Sequence, residues 1–60
     1  SINKSSADEL QTITGIGPVI AERIIEYRES NGAFEVLEDL MDVHGIGQAK
    51  FERIKDRIKL

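Results

Sequence analysis

Residues 10–28 read LQTITGIGPVIAERIIEYR, and residues 40–58 read LMDVHGIGQAKFERIKDRI. A shift of 30 positions carries the first stretch onto the second, with identity at Leu10/Leu40, Gly15/Gly45, Ile16/Ile46, Gly17/Gly47, Glu22/Glu52, Arg23/Arg53 and Ile24/Ile54. Ile13 and Val43 differ conservatively. In each copy a short apolar segment ends at Gly-Ile-Gly, which opens a second amphipathic segment. An internal repeat of this kind sets the architecture, because each copy is one supersecondary unit that cannot bury its apolar face alone.

The local signals around the repeat are helical. Ser6-Ala7-Asp8-Glu9 fits a capping box, with Ser at the N-cap and Glu three residues later. Ala7, Leu10 and Ile13 follow at helical spacing, which predicts a first helix over 7–13. Gly15 and Gly17 break it. Pro18 suits a first helical position, where its missing N–H has no intrahelical acceptor anyway. Ala21, Ile24 and Ile25 recur at i, i+3, i+4, so a second helix is predicted over 18–30, ended by Asn31-Gly32 with Gly32 in a left-handed conformation. Phe34 lies in the link and is read as a core plug. A third helix is predicted at about 36–43, carrying Leu37, Leu40, Met41 and Val43. Val36 stands at the cap position that Ser6 holds in the first copy and cannot cap, a loss of about 1 kcal/mol, while Asp39 still favours the helix dipole. A fourth helix, about 48–58, places Phe51, Ile54 and Ile58 on one face. Ile2 packs in from the entering segment, and Met41 and Phe51 are read as core. The expected fold is all-α: four short helices forming two units, about 6–30 and 36–60, packed about a pseudo-two-fold axis in one domain spanning 1–60.

Sixty residues without cysteine leave no disulfide or thiolate metal site, and Tyr27, Phe34 and Phe51 are the only aromatics. So few side chains cannot line a deep pocket and still fill a core, which argues against an enzyme and a small-molecule substrate. No catalytic residue, cofactor or firm metal site is expected. His44, the single histidine, is read as a rim residue. Glu35, Glu38, Asp39 and Asp42 are read as a solvated face, not a metal cluster. No apolar run reaches the ~20 residues that span a bilayer, so these residues are expected to be soluble. The chain opens at Ser1 without Met, and a longer parent is expected. Net charge is −3, yet it is unevenly spread. Residues 29–43 carry five acids and no base (Glu29, Glu35, Glu38, Asp39, Asp42), whereas residues 44–60 set Lys50, Arg53, Lys55, Arg57 and Lys59 against Glu52 and Asp56. Lys55, Arg57 and Lys59 form an accessory basic patch.

The two turns carry the chemistry. A glycine lets another group approach the backbone without a Cβ in the way. The N–H groups that follow enter a helix and lack intrahelical acceptors, and the helix dipole adds roughly half a positive charge there. Gly15, Gly17, Val19 and Ile20 in the first turn, and Gly45, Gly47, Ala49 and Lys50 in the second, therefore offer amides to an anion. Arg23 and Arg53 stand at equivalent places on the following helices, to pair with a neighbouring glutamate or to reach a phosphate. Two anion sites related by approximate symmetry suit duplex DNA, whose two phosphate tracks flank the minor groove, and backbone contacts carry no sequence information. Neither turn is a dinucleotide fingerprint or a P-loop, since the third glycine and the Gly-Lys-Ser/Thr ending are missing.

With Ile2-Asn3-Lys4, Ala7-Asp8-Glu9-Leu10, Gly15-Ile16-Gly17-Pro18, Ala21, Ile24-Ile25-Glu26-Tyr27-Arg28-Glu29, Asn31-Gly32, Phe34, Glu38-Asp39-Leu40 and Gly45-Ile46-Gly47 together, nearly the whole chain resembles the tandem helix-hairpin-helix domains of the bacterial competence DNA receptor (ComEA) family. The resemblance implies non-catalytic, sequence-independent binding of double-stranded DNA across the minor groove during DNA uptake. It implies a parent anchored at the extracytoplasmic face of the bacterial membrane, with other uptake proteins or self-association as further contacts. Related hairpins in repair proteins hold a monovalent cation on backbone carbonyls, here those of Gln11, Ile13 and Ile16 and of Met41, Val43 and Ile46. The chain departs from the family pattern at Ile20 and Ala49, where lysine is frequent, and at Thr14 and His44, where proline is. These departures and the acidic total imply weaker binding, with the second hairpin contributing more than the first. Two alternatives stand beside this reading: a protein-interaction or oligomerisation module, favoured by Ile20 and the acidic middle, and the DNA-docking module of a larger repair enzyme.

Overall fold

The computed structural model describes residues 1–60, and every regular element in it is helical. Helix α1 spans Ala7–Leu10 and α2 spans Pro18–Asn31; a 3₁₀ helix occupies Leu37–Asp42, and α3, Gln48–Ile54, runs on into a 3₁₀ turn at Lys55–Arg57. No helix is long and apolar enough to cross a membrane.

The predicted capping box forms. Ser6 Oγ accepts from the Glu9 N–H at 3.2 Å, and Glu9 Oε1 accepts from the Ser6 N–H at 2.8 Å. Those two bonds also hold the Glu9 carboxyl below its ordinary value of 4.5, the backbone bond being the larger cause. The first helix is shorter than the predicted 7–13. After Leu10 the bonds tighten to i→i−3, Thr12 N–H to Glu9 C=O (3.2 Å) and Ile13 N–H to Leu10 C=O (3.1 Å), as helix ends commonly do. Helix α2 extends to Asn31, one residue past expectation. Gly32 has φ +86 and ψ 179, so it is an extended glycine-only conformation and not the left-handed helical cap expected.

The third segment differs most from its reading. It is a 3₁₀ helix, and its turn of three residues brings Leu37, Leu40 and Val43 onto one inward face. Met41 falls off that face and is 39% exposed, so its expected core role does not hold. Val36 supplies no cap; instead the Asp39 carboxylate reaches back to the N–H groups of Glu35 (3.1 Å) and Val36 (3.4 Å). The fourth helix ends before the predicted residue 58. Ile58 turns extended, which lets the Lys59 carbonyl accept the Ile2 N–H at 2.9 Å and ties the two ends of the chain together.

The core is apolar throughout: Ile2, Leu10, Ile16, Ala21, Ile24, Phe34, Leu40, Val43, Ile46, Phe51 and Ile54. Leu10/Leu40, Ile16/Ile46, Ala21/Phe51 and Ile24/Ile54 are repeat-related pairs buried in both copies, so one set of positions builds both halves of the core. The repeat does not contain the link or the N-terminal segment, and side-chain clamps hold these. Asn3 is bonded twice to Phe34, its amide donating to the carbonyl (3.0 Å) and its oxygen accepting from the N–H (2.7 Å). Arg28 Nη1 donates to the Ile2 carbonyl at 2.8 Å.

Candidate nucleic-acid interface

Each Gly-Ile-Gly turn is held from inside by its isoleucine. Ile16 and Ile46 are 3% and 2% exposed, and their N–H groups close the turn onto the carbonyls of Ile13 and Val43, both at 3.0 Å. The first glycine of each turn is favoured by its backbone, and the opposite unit packs close against it. Gly15 and Gly45 have φ +102 and +99. A Cβ on Gly15 would lie 3.3 Å from Ile54 Cγ2, and one on Gly45 only 2.5 Å from Ile20 Cδ1 and 2.9 Å from Arg23 Nη1.

The second glycine is different. Gly17 and Gly47 are the N-caps of α2 and α3, with extended backbone (φ −93 and −89), and a Cβ at either would meet nothing within 4 Å. Any residue fits there, and Ser, Asp or Asn would cap the helix better. Neither helix has a side-chain cap. As a result the N–H groups of Gly15, Gly17, Val19 and Ile20, and those of Gly45, Gly47, Ala49 and Lys50, find no acceptor within the chain. Six of these residues are exposed, Ile20 and Lys50 partly so. Two equivalent sets of unpaired donors stand at the positive ends of two helix dipoles, an arrangement whose charge and donors are complementary to an anion.

The two units brace each other reciprocally. Ile20 of α2 packs on Gly45 of the second hairpin, and Arg23 Nη1 donates to the His44 carbonyl at 3.2 Å. At the repeat-related place, Lys50 Nζ donates to the Gly15 carbonyl at 2.9 Å and Ile54 touches Gly15. Lys50 therefore brings its charge to the first hairpin, although the sequence reading credited it to the second. Ile20 is an inter-unit contact, which removes one argument for an interaction module that has lost its anion site. Neither Arg23 nor Arg53 pairs with a glutamate; the chain's one ion pair is Lys55–Glu52 at 2.6 Å, and that contact, with the Glu52 charge, holds the Lys55 ammonium above its ordinary value.

Charge around the hairpins is asymmetric. Beside the first lie Lys50, Arg53 and Arg57 with Thr14 and Gly15. Beside the second lie Arg23, Glu26, Tyr27, Asp42 and His44. Tyr27 stacks on Phe34 (centroids 4.8 Å apart, planes 15°), so it is a packing residue there. Desolvation first, then the Asp42 and Asp39 charges, keep its phenol protonated above the ordinary value of 10.0. Of the carbonyls expected to hold a cation, those of Ile13 and Val43 each already accept an amide, while those of Gln11, Ile16, Met41 and Ile46 accept none. Those four carbonyls keep both lone pairs unused within the chain. Sequence reasoning missed the cross-bracing, since no local pattern encodes a contact between residues 35 positions apart; it also missed the Asn3 clamp.

Paired helix–turn–helix units that share one core and present uncapped glycine turns define a tandem hairpin module. The family described as "Helix-hairpin-helix motif" matches residues 1–59, and the chain belongs to it. It is 52% identical over 58 residues to ComE operon protein 1 of Bacillus subtilis, covering 97% of this chain and 28% of that protein. It is 48% identical over 59 residues to a protein of Haemophilus influenzae, covering 97% and 53%, and 43% identical over 58 residues to the endonuclease/exonuclease/phosphatase family domain-containing protein 1 of Xenopus laevis, covering 97% and 10%. The chain thus spans between a tenth and about half of these relatives' lengths. No solved structure matches.

Proposed function

We propose that the chain is a non-enzymatic, sequence-independent binding module for double-stranded DNA, gripping phosphates on both sides of the minor groove through the backbone amides of its two hairpins. One observation carries this reading: both helices behind the hairpins start at a glycine that neither space nor backbone requires, and at each the hairpin amides named above have no acceptor. Repeating such an uncapped start at equivalent positions forgoes stability twice and retains an anion site twice. The likeness to ComE operon protein 1 supports DNA uptake as the setting; we place the parent at the extracytoplasmic face of the bacterial membrane, as the family resemblance implies. Protease accessibility of the tagged parent on intact cells tests that placement. The basic side chains beside Gly15 make the first hairpin the stronger of the two, whereas Glu26 and Asp42 weaken the second. A monovalent ion on the free hairpin carbonyls is an accessory that would supply charge between backbone and phosphate.

Anisotropy titration with random-sequence duplex tests the reading. With about four phosphates neutralised, log K falls against log salt with a slope of roughly −3.6. Lys50→Glu weakens binding to every sequence alike; an effect confined to one sequence contradicts backbone recognition. A second reading has its own support: the match to a tenth of the Xenopus protein shows the module carried within a much longer chain, consistent with a DNA-docking role beside another domain.

A further inference from the structure

The repeat sets Lys50, Arg53 and Arg57 against Ile20, Arg23 and Tyr27. In the second unit all three positions are cationic: Lys50 and Arg53 of α3 and Arg57 of the 3₁₀ turn after it form, with Ile54, one wall of a notch of about 350 Å³, with Thr14 and Gly15 of the first hairpin as the other. No carboxylate lines the notch, and none lies within ion-pair distance of the three cations. Glu52 is held by Lys55, outside the notch. Lys50 uses one ammonium proton on the Gly15 carbonyl, which fixes it over the wall and leaves two. Arg53 and Arg57 are exposed and donate no hydrogen bond within the chain. The repeat-related notch lacks this character: its single arginine is tied to the His44 carbonyl, and Glu26 and Asp42 line it.

We propose that this notch is a phosphate subsite, with Arg57 and Arg53 gripping the phosphate oxygens and Lys50 linking the site to the first hairpin. The proposal rests on the duplex-binding reading for the source of its phosphate, either an internal phosphodiester or the monoester of a free 5′ end. Three converging cations suit either, and guanidinium forks match phosphate oxygens in pairs. It makes the module lopsided, with one strand held by amides and side chains and the other by amides alone.

The test compares Arg57→Gln with Lys4→Gln, an equal change of charge at an exposed residue outside the notch, on one duplex prepared with 5′-hydroxyl and with 5′-phosphate ends. Arg57→Gln is expected to flatten the salt slope by about 0.9 and lower affinity roughly 5- to 10-fold at 0.1 M salt, while Lys4→Gln leaves the slope in place. A loss on both duplexes assigns the internal backbone; a loss on the phosphorylated one alone assigns the terminal monoester. An unchanged slope with Arg57→Gln on both, or an equal loss with Lys4→Gln, overturns the subsite. Should the wild type bind neither duplex, the duplex reading has failed separately, and inorganic phosphate then decides the subsite. Saturable shifts of the Thr14 and Gly15 amides that Arg57→Gln abolishes uphold it, and their absence overturns it.

Discussion

Replacing both Gly17 and Gly47 with aspartate is expected to move stability and binding in opposite directions. Both positions have extended backbone and no atom within 4 Å of a Cβ, so the substitution has no steric cost. Each new carboxylate caps its helix by accepting an N–H at the second or third position, Val19 or Ile20 in one hairpin and Ala49 or Lys50 in the other. Aspartate exceeds glycine as an N-cap by a few tenths of a kcal/mol, so the pair adds about 0.6 kcal/mol, or roughly 3 °C in Tm for a domain of this size. Binding falls because the same amides are occupied and a negative charge stands where a phosphate would sit. Losing one charge-assisted hydrogen bond costs about 1.5–3 kcal/mol, so each single variant weakens DNA binding by roughly 10- to 100-fold. Serine at the same positions caps without charge and gives a smaller loss. Thermal denaturation by circular dichroism and anisotropy on random duplex read the two effects. A doubly substituted chain that melts higher yet binds within threefold of wild type refutes the reasoning.

Other outcomes follow from the same geometry. Gly15→Ala and Gly45→Ala are each expected to cost about 1–2 kcal/mol, read by urea denaturation, because both force a side chain into positive φ; at Gly45 the new Cβ meets only the ends of Ile20 and Arg23, which can move aside. Asn3→Ala removes both bonds to Phe34 and lowers stability by about 1–3 kcal/mol, with hydrogen exchange at the Phe34 amide rising in step. Glu9 has a folded-state pKa below its ordinary 4.5, so its contribution is fully present above about pH 4.5 and is lost as pH falls through the lower folded value; Glu9→Gln is expected to flatten that limb of the stability–pH curve.

Much of this was legible in the sequence because the repeat wrote it twice. Identical residues at Leu10/Leu40, Ile16/Ile46 and Ile24/Ile54 named both halves of the core, and Ser6 with Glu9 named the first cap. The doubled Gly-Ile-Gly marked the turns, yet only the structure separates the roles of their glycines. Gly15 and Gly45 admit the opposite unit and a positive φ, while Gly17 and Gly47 are free of both demands. What the sequence hid depends on distance along the chain. Helical periodicity assumed 3.6 residues per turn at about 36–43, whereas Leu37–Asp42 takes a three-residue turn that leaves Met41 outward. Lys50 on Gly15 and Asn3 on Phe34 are contacts across more than thirty positions, invisible to any local pattern. The direction of Lys50 matters most, because it moves the positive charge from one hairpin to the other.

The central claim is that two sets of free amides meet phosphate at once. Amide chemical shifts of the labelled chain during titration with random duplex measure this directly. The account predicts that Gly15, Gly17, Val19 and Ile20 move together with Gly45, Gly47, Ala49 and Lys50, along one saturation curve. Shifts confined to a single hairpin, or to the α2 face at Glu26 and Ser30 with both hairpins still, would contradict it.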